Sequence, residues 1–103
     1  MLHSITVEKV TGLCEWDRQD ISCPSGKTIR VLEASYGRHD TTTCHNFSAT
    51  DTNCHAEGSL AAVQNICDNN ARCQLFSDNS VFGDPCPGVR KYLEVTYYCA
   101  SSY

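Results

Sequence analysis

The chain is short of nearly everything that marks a catalytic or nucleic-acid-binding protein. Among 103 residues there are 8 Lys and Arg, scattered along the chain, and the formal net charge is −4. A phosphate backbone or an anionic membrane is held by a basic stripe, and none is present. No apolar run exceeds four residues, far from the ~20 that cross a bilayer. The opening MLHSITVEKV lacks the apolar centre of a signal peptide, so export implies that a leader has been removed. No glycine-rich phosphate loop occurs, and the Ser and His residues lie outside any nucleophile-elbow context. Glu15 and Asp84 are carboxylates of the type that hydrolyse glycosides in pairs, but nothing in the sequence sets their separation. A chain this small seldom encloses a deep cleft, and no enzyme is expected.

Cys-x-x-Cys is also missing; the narrowest gap between cysteines runs from Cys67 to Cys73. His45 and His55 directly follow Cys44 and Cys54, which suggests zinc, yet adjacent residues rarely face one ion. Neither a metal nor a cofactor is expected. What remains is a disulfide framework. The cysteines number eight, at 14, 23, 44, 54, 67, 73, 86 and 99, an even count in a short chain with a modest core, which points to an oxidising, extracellular compartment. Each native bridge in such a domain contributes about 2–5 kcal/mol. Spacing does not choose among the ~105 ways of pairing eight cysteines. Asn46-Phe47-Ser48 is a candidate N-glycosylation sequon.

Without repeats or linkers, residues 1–103 read as one domain with its core at about 13–99. ITVEKV (5–10) alternates like a strand, and KTIRVLEASYG (27–37) is rich in β-formers. Pro24 and Gly26 supply a turn between them. Residues 39–56 read as a long loop. GSLAAVQNICDNN (58–70) predicts a helix, capped by Ser59, with Leu60, Val63, Ile66 and Cys67 on one face and Asn69-Asn70 at its end. CQLFSDNSVF (73–82) reads as a broken strand. KYLEVTYYCA (91–100) is the clearest strand, with Leu93, Val95, Tyr97 and Cys99 on one face. Short strands, one main helix and no repeated βαβ unit give an α+β class with antiparallel sheet.

Two stretches could carry chemistry. In FGDPCPGVRKYLEVTYYC (82–99), Asp84 precedes Pro85, and Pro87-Gly88 has the residue order of a type II turn. Lys91 then opens the strand. On composition this is a rigid turn with solvated charges; its sharper reading is a polar patch in which a carboxylate accepts from, and an ammonium donates to, vicinal hydroxyls. In EASYGRHD (33–40), Tyr36 would close a strand, Gly37 permit a bend and Arg38 pair with a carboxylate or carbonyl. A packed tyrosine at a turn is the plain reading, although a shallow sugar site also uses such a ring.

YGR (36–38) followed by FGDPCPG and KYLEVTYYC, framed by eight cysteines, resembles the SUEL-type domain, the rhamnose- or galactose-binding lectin family of egg lectins and latrophilin-like receptors. The resemblance implies antiparallel strands in two sheets with a helix alongside. It implies the bridges Cys14–Cys44, Cys23–Cys99, Cys54–Cys86 and Cys67–Cys73, leaving no thiol for an intermolecular bond. It also implies a calcium-independent sugar site of Glu15, Tyr36, Asp84, Gly88 and Lys91: the acids and Lys91 fix hydroxyls, Tyr36 covers the site, and Gly88 lets backbone approach. Gly37, Arg38 and Pro85 are structural, Arg38 holding the loop. On that reading, removing Asp84 or Lys91 abolishes binding and leaves the fold intact. Ser35, Val89 and Arg90 depart from the common family pattern. The expected function is binding of L-rhamnose and D-galactose-type glycans by a secreted domain, which self-associates where avidity is needed. The alternative is a protein-binding adhesion module of a receptor ectodomain.

Overall fold

The alternating stretch near the C-terminus becomes the central strand. The computed structural model describes residues 5–45 and 51–101, so the Asn46 sequon lies outside the described residues. In chain order the elements are β1 (Glu8–Cys14), β2 (Arg18–Ser22), β3 (Lys27–Arg38), β4 (Cys54–His55), α1 (Ser59–Cys67), β5 (Arg72–Phe76), α2 (Asn79–Phe82) and β6 (Tyr92–Ser101). β6 lies between β1 and β3 in an antiparallel sheet of order β1-β6-β3-β4, and β2 pairs with β5 in a second one. Leu93, Val95 and Tyr97 of β6 are buried as the alternation requires, with Val10, Ile29, Val31 and Tyr36 from its neighbours. α1 packs on β3 and β5, closing this core with Val63 and Cys67.

The four bridges are Cys14–Cys44, Cys23–Cys99, Cys54–Cys86 and Cys67–Cys73, as the family resemblance implied. They link loop to strand more than core to core. Cys14–Cys44 ties the end of β1 to the long loop, and Cys54–Cys86 ties β4 to the Asp-Pro-Cys turn. Loop ends that would otherwise carry large conformational entropy are thereby fixed around one corner of the sheet.

Several local expectations give way. The first strand starts at Glu8 and runs to Cys14. β2 has a single buried residue, Ile21; its partner strand and the Arg18 guanidinium over Phe76 at 4.8 Å hold it. The expected broken strand at 73–82 splits into β5 and a helical turn, because Asp78 caps α2 by accepting from the Ser80 N–H at 2.9 Å. Ser59 does not cap α1. The Ser59 hydroxyl donates to Ala56 O and accepts from the Tyr36 N–H at 3.0 Å, locking helix to strand. Ile66 is 39% exposed rather than on the packed face, since that face narrows to Val63 and Cys67 where α1 meets β3. The loop at 39–56 contains the two residues of β4.

Gly37 does not bend the chain: β3 continues through it to Arg38. Glycine is needed because β4 presses on it, so that a Cβ there would lie 2.0 Å from Cys54 O. Backbone cannot swing aside as a side chain can. Gly37→Ala is therefore expected to destabilise the fold by about 3 kcal/mol or more, read as a lowered midpoint in urea denaturation. A loss below about 0.5 kcal/mol would show that β4 is free to retreat.

Candidate functional site

The pairing of β1 with β6 runs to Cys14↔Tyr92. One step further the Glu15 N–H donates to Lys91 O at 2.9 Å. The Lys91 N–H donates back to the Glu15 carboxylate, also at 2.9 Å, so a side chain completes the next rung of the ladder. Register thus delivers an acid and an amine to each other. Lys91 Nζ stands 3.5 Å from Glu15 Oε1 and 3.0 Å from Asp84 Oδ1. It also donates to Val89 O at 2.7 Å and Cys86 O at 3.4 Å. Lys91 is 2% exposed and the Glu15 side chain 6%, whereas Asp84 is 34% exposed. The outer face of this cluster is Asp84.

Local chemistry around Asp84 explains its fixed position. Its Oδ1 accepts from the Cys86 N–H at 3.2 Å, the two-residue reach typical of an aspartate before a turn. Val89 N–H donates to Cys86 O at 3.1 Å, closing a turn over Pro87-Gly88 with Gly88 at φ 83°. That is the type II position that favours glycine. The turn's carbonyls face the Lys91 ammonium, and its glycine lies exposed at the rim.

YGR supplies the other wall. Arg38 is fully buried and donates to Arg90 O at 2.7 Å, Asp40 O at 2.8 Å and Cys44 O at 3.1 Å, with its guanidinium 5.2 Å from the Tyr92 ring. It clamps the peptide just before Lys91 to the Cys44 loop. Tyr36 is also fully buried. Its ring stacks on Phe82 at 4.7 Å, and its hydroxyl donates to Asn79 Oδ1 at 2.6 Å. Burial, and then the negative charges of Glu15, Asp78 and Asp84, push its phenol far above the ordinary value. A ring with no exposed surface cannot cover a sugar, so the expected covering role is corrected: Tyr36 supports the site from behind through Asn79.

All five sequence-predicted positions thus gather at one corner, with Lys91 and Glu15 inside, Asp84 and Gly88 at the surface and Tyr36 beneath. Asn79 was missed, because Asp78-Asn79-Ser80 was read as part of a strand; the Asp-x-Ser cap was the available signal. The cysteines beside His45 and His55 are all in bridges, and no three metal-ligating side chains gather among the described residues.

Removing the Lys91 side chain is expected to disturb folding, because the buried Glu15 carboxylate would keep the Lys91 N–H but lose its ammonium partner. Lys91→Met is expected to cost about 3–5 kcal/mol, and adding Glu15→Gln should restore part of it in a double-mutant cycle. A loss under about 1 kcal/mol, or no recovery, would mean the pair is solvated. Tyr36 sets an alkaline limit. The unfolded chain ionises this phenol near 10.0, whereas the folded chain holds it higher. Its stabilising contribution is therefore complete below that pH and lost as pH rises above it. Unfolding midpoints should fall as pH rises above about 10, and Tyr36→Phe should flatten the fall. Tyr97, raised by burial and then by Glu8, adds to the fall in the same direction.

The chain as a whole is similar to known proteins. Residues 21–99 match the profile of the D-galactoside/L-rhamnose binding SUEL lectin domain. The chain is 43% identical over 95 residues to a D-galactoside-specific lectin of Heliocidaris crassispina, covering 89% of this chain and 90% of that protein. It is 40% identical over 94 residues to the L-rhamnose-binding lectin ELEL-1 of Echinometra lucunter, covering 89% and 91%. It is 36% identical over 91 residues to Latrophilin Cirl of Drosophila persimilis, but spans only 5% of that protein. With the disulfides, the two sheets and the YGR and DPC motifs already in place, the conclusion is that the chain belongs to the SUEL lectin domain family.

Proposed function

We propose that residues 1–103 act as one secreted lectin domain that binds glycans ending in L-rhamnose or D-galactose, without a metal ion and without turnover. The observation that carries this reading is the Asp84–Lys91–Glu15 cluster beside the exposed Gly88 turn. Asp84 accepts from sugar hydroxyls, and the exposed glycine lets them approach the backbone. Lys91 and Glu15 hold Asp84 and the turn in position and supply the charge behind them. L-rhamnose and D-galactose present hydroxyls in similar geometry, which suits one fixed acceptor edge. The names of the Heliocidaris and Echinometra relatives agree with both sugars.

Metal independence is supported by charge: the Lys91 ammonium lies between both acids and leaves the cluster a single net negative charge, little with which to hold a divalent cation. Binding without turnover is supported by the same sharing, since neither carboxyl is set apart to protonate a leaving group. Four bridges support an oxidising, extracellular setting. The site is small, so affinity for a monosaccharide should be on the order of 0.1–1 mM, and useful avidity would come from several copies acting together.

Calorimetric titration with L-rhamnose, D-galactose and D-glucose, with and without chelator, tests this. Saturable binding of the first two, indifferent to chelator, is expected. Asp84→Asn should weaken it at least about tenfold with the melting temperature nearly kept, because Asp84 is the partly exposed member of the cluster. Absence of a saturable response to either sugar would refute the reading.

A further inference from the structure

We infer that Trp16 forms a second saccharide subsite, stacking its indole on the sugar residue next to the terminal one in a bound glycan. This rests on the lectin reading above and extends it from a monosaccharide to an oligosaccharide. Trp16 is the chain's single tryptophan. At 66% exposure it is the most exposed of the large apolar residues among those described. A tryptophan ordinarily buries most of a large surface, so one left in solvent beside an acidic cluster calls for a partner.

The backbone makes the exposure a built feature. Trp16 has φ 80°, a left-handed conformation that is a real outlier for a bulky residue. Such strain persists where surrounding structure over-determines it, and it concentrates at ligand sites. Here the surroundings do so: Glu15 N–H is bonded to Lys91 O, Trp16 N–H to Ser77 O, Asp17 N–H to Cys14 O and Ser77 N–H to Asp17 O. The kink sends two successive residues opposite ways. Glu15 is buried against Lys91, and Trp16, one peptide (~3.8 Å between Cα atoms) away, faces water. Its bond to Ser77 anchors it to the segment that continues through Asn79 to Asp84, so it stands where the two chain segments of the site meet.

Chemistry fits a pyranose. The C–H face of a sugar ring packs on the electron-rich face of an indole without any charged group. The other aromatics of this corner are engaged, since Tyr36 is fully buried and Phe82 stacks on it. Among the described residues, Trp16 is the most exposed aromatic side chain next to this cluster.

The closing experiment compares D-galactose with a disaccharide bearing terminal galactose, by calorimetry and by tryptophan emission. The disaccharide should bind about three- to tenfold tighter and shift the emission to the blue. Trp16→Ala and Trp16→Gly should leave the galactose affinity within about twofold and abolish the disaccharide gain; Trp16→Phe should keep part of it. Trp16→Gly should also melt higher than Trp16→Ala, because glycine relieves the left-handed strain. If galactose binds but the gain survives in Trp16→Ala, or the emission is unmoved at saturating disaccharide, the subsite is refuted and the lectin reading stands. An emission shift that follows protein concentration without sugar would instead make Trp16 a contact between copies, and would also overturn the subsite. If neither sugar binds the unaltered chain, the lectin reading itself falls and the subsite with it.

Discussion

A lysine ammonium at 2% exposure is the constraint to which this corner of the molecule answers. Moving such a charge out of water costs several kcal/mol unless its donors are met and its charge is balanced. Lys91 meets both conditions through Glu15, Asp84 and two carbonyls of the turn over Pro87-Gly88. Those partners come from two separate stretches of the chain, Glu15 and residues 84–89, so satisfying one ammonium fixes both. The end of β1 must sit against the start of β6, and the turn must curl its carbonyls inward. Asp84 must lean toward the interior while keeping a third of its surface for solvent. The polar cluster is thus a scaffold first, and its outer edge is what a ligand would meet.

The surrounding fold holds that arrangement from several sides with few apolar atoms. Arg38 clamps Arg90 O to the Cys44 loop, Cys54–Cys86 pins the turn to β4, and Gly37 allows β4 to approach closely enough for that bridge. The stacked pair Tyr36 and Phe82, with Asn79 on the tyrosine hydroxyl, attaches α2 beneath the chain leading to Asp84. Covalent and polar ties here do what a larger core would do elsewhere, and they make the corner rigid. Rigidity suits recognition of hydroxyl positions, because little ordering entropy is left to lose on binding.

What was legible in the sequence follows the range of each cause. The Pro87-Gly88 turn and the alternation of β6 are set within a few residues, and they read correctly. The pairing of eight cysteines is set by topology, so only the family resemblance could imply it. β2 was invisible because Arg-Gln-Asp-Ile-Ser offers one apolar residue and owes its form to β5. Ser59 looked like a cap by position, yet the Tyr36 N–H, 23 residues back, competes for its oxygen. The burial of Lys91 and Tyr36 was not legible at all. A lysine that opens a strand and a tyrosine near a turn are usually at the surface; Lys91 is interior because Glu15, 76 residues away, joins the nearby turn carbonyls around it, and Tyr36 because Asn79 accepts from its hydroxyl.

That last difference changes how the site acts. The family resemblance makes Lys91 fix hydroxyls beside Glu15 and Asp84, and makes Tyr36 cover the site. Folded, Lys91 and Tyr36 form an inner layer that positions an outer one, consisting of Asp84 and the Gly88 backbone. An inner charged layer concentrates field at the few groups that reach solvent, since the protein around it screens less than water does. On the proposed lectin reading it also limits the contact area to a small patch, and so would limit affinity for one sugar ring. A domain built in this way gains selectivity from fixed acceptors and has little surface left with which to gain strength. Added strength then has to come from ground next to the cluster or from further copies of the domain. The left-handed kink that turns Glu15 inward is also what places the next residue on that adjoining ground.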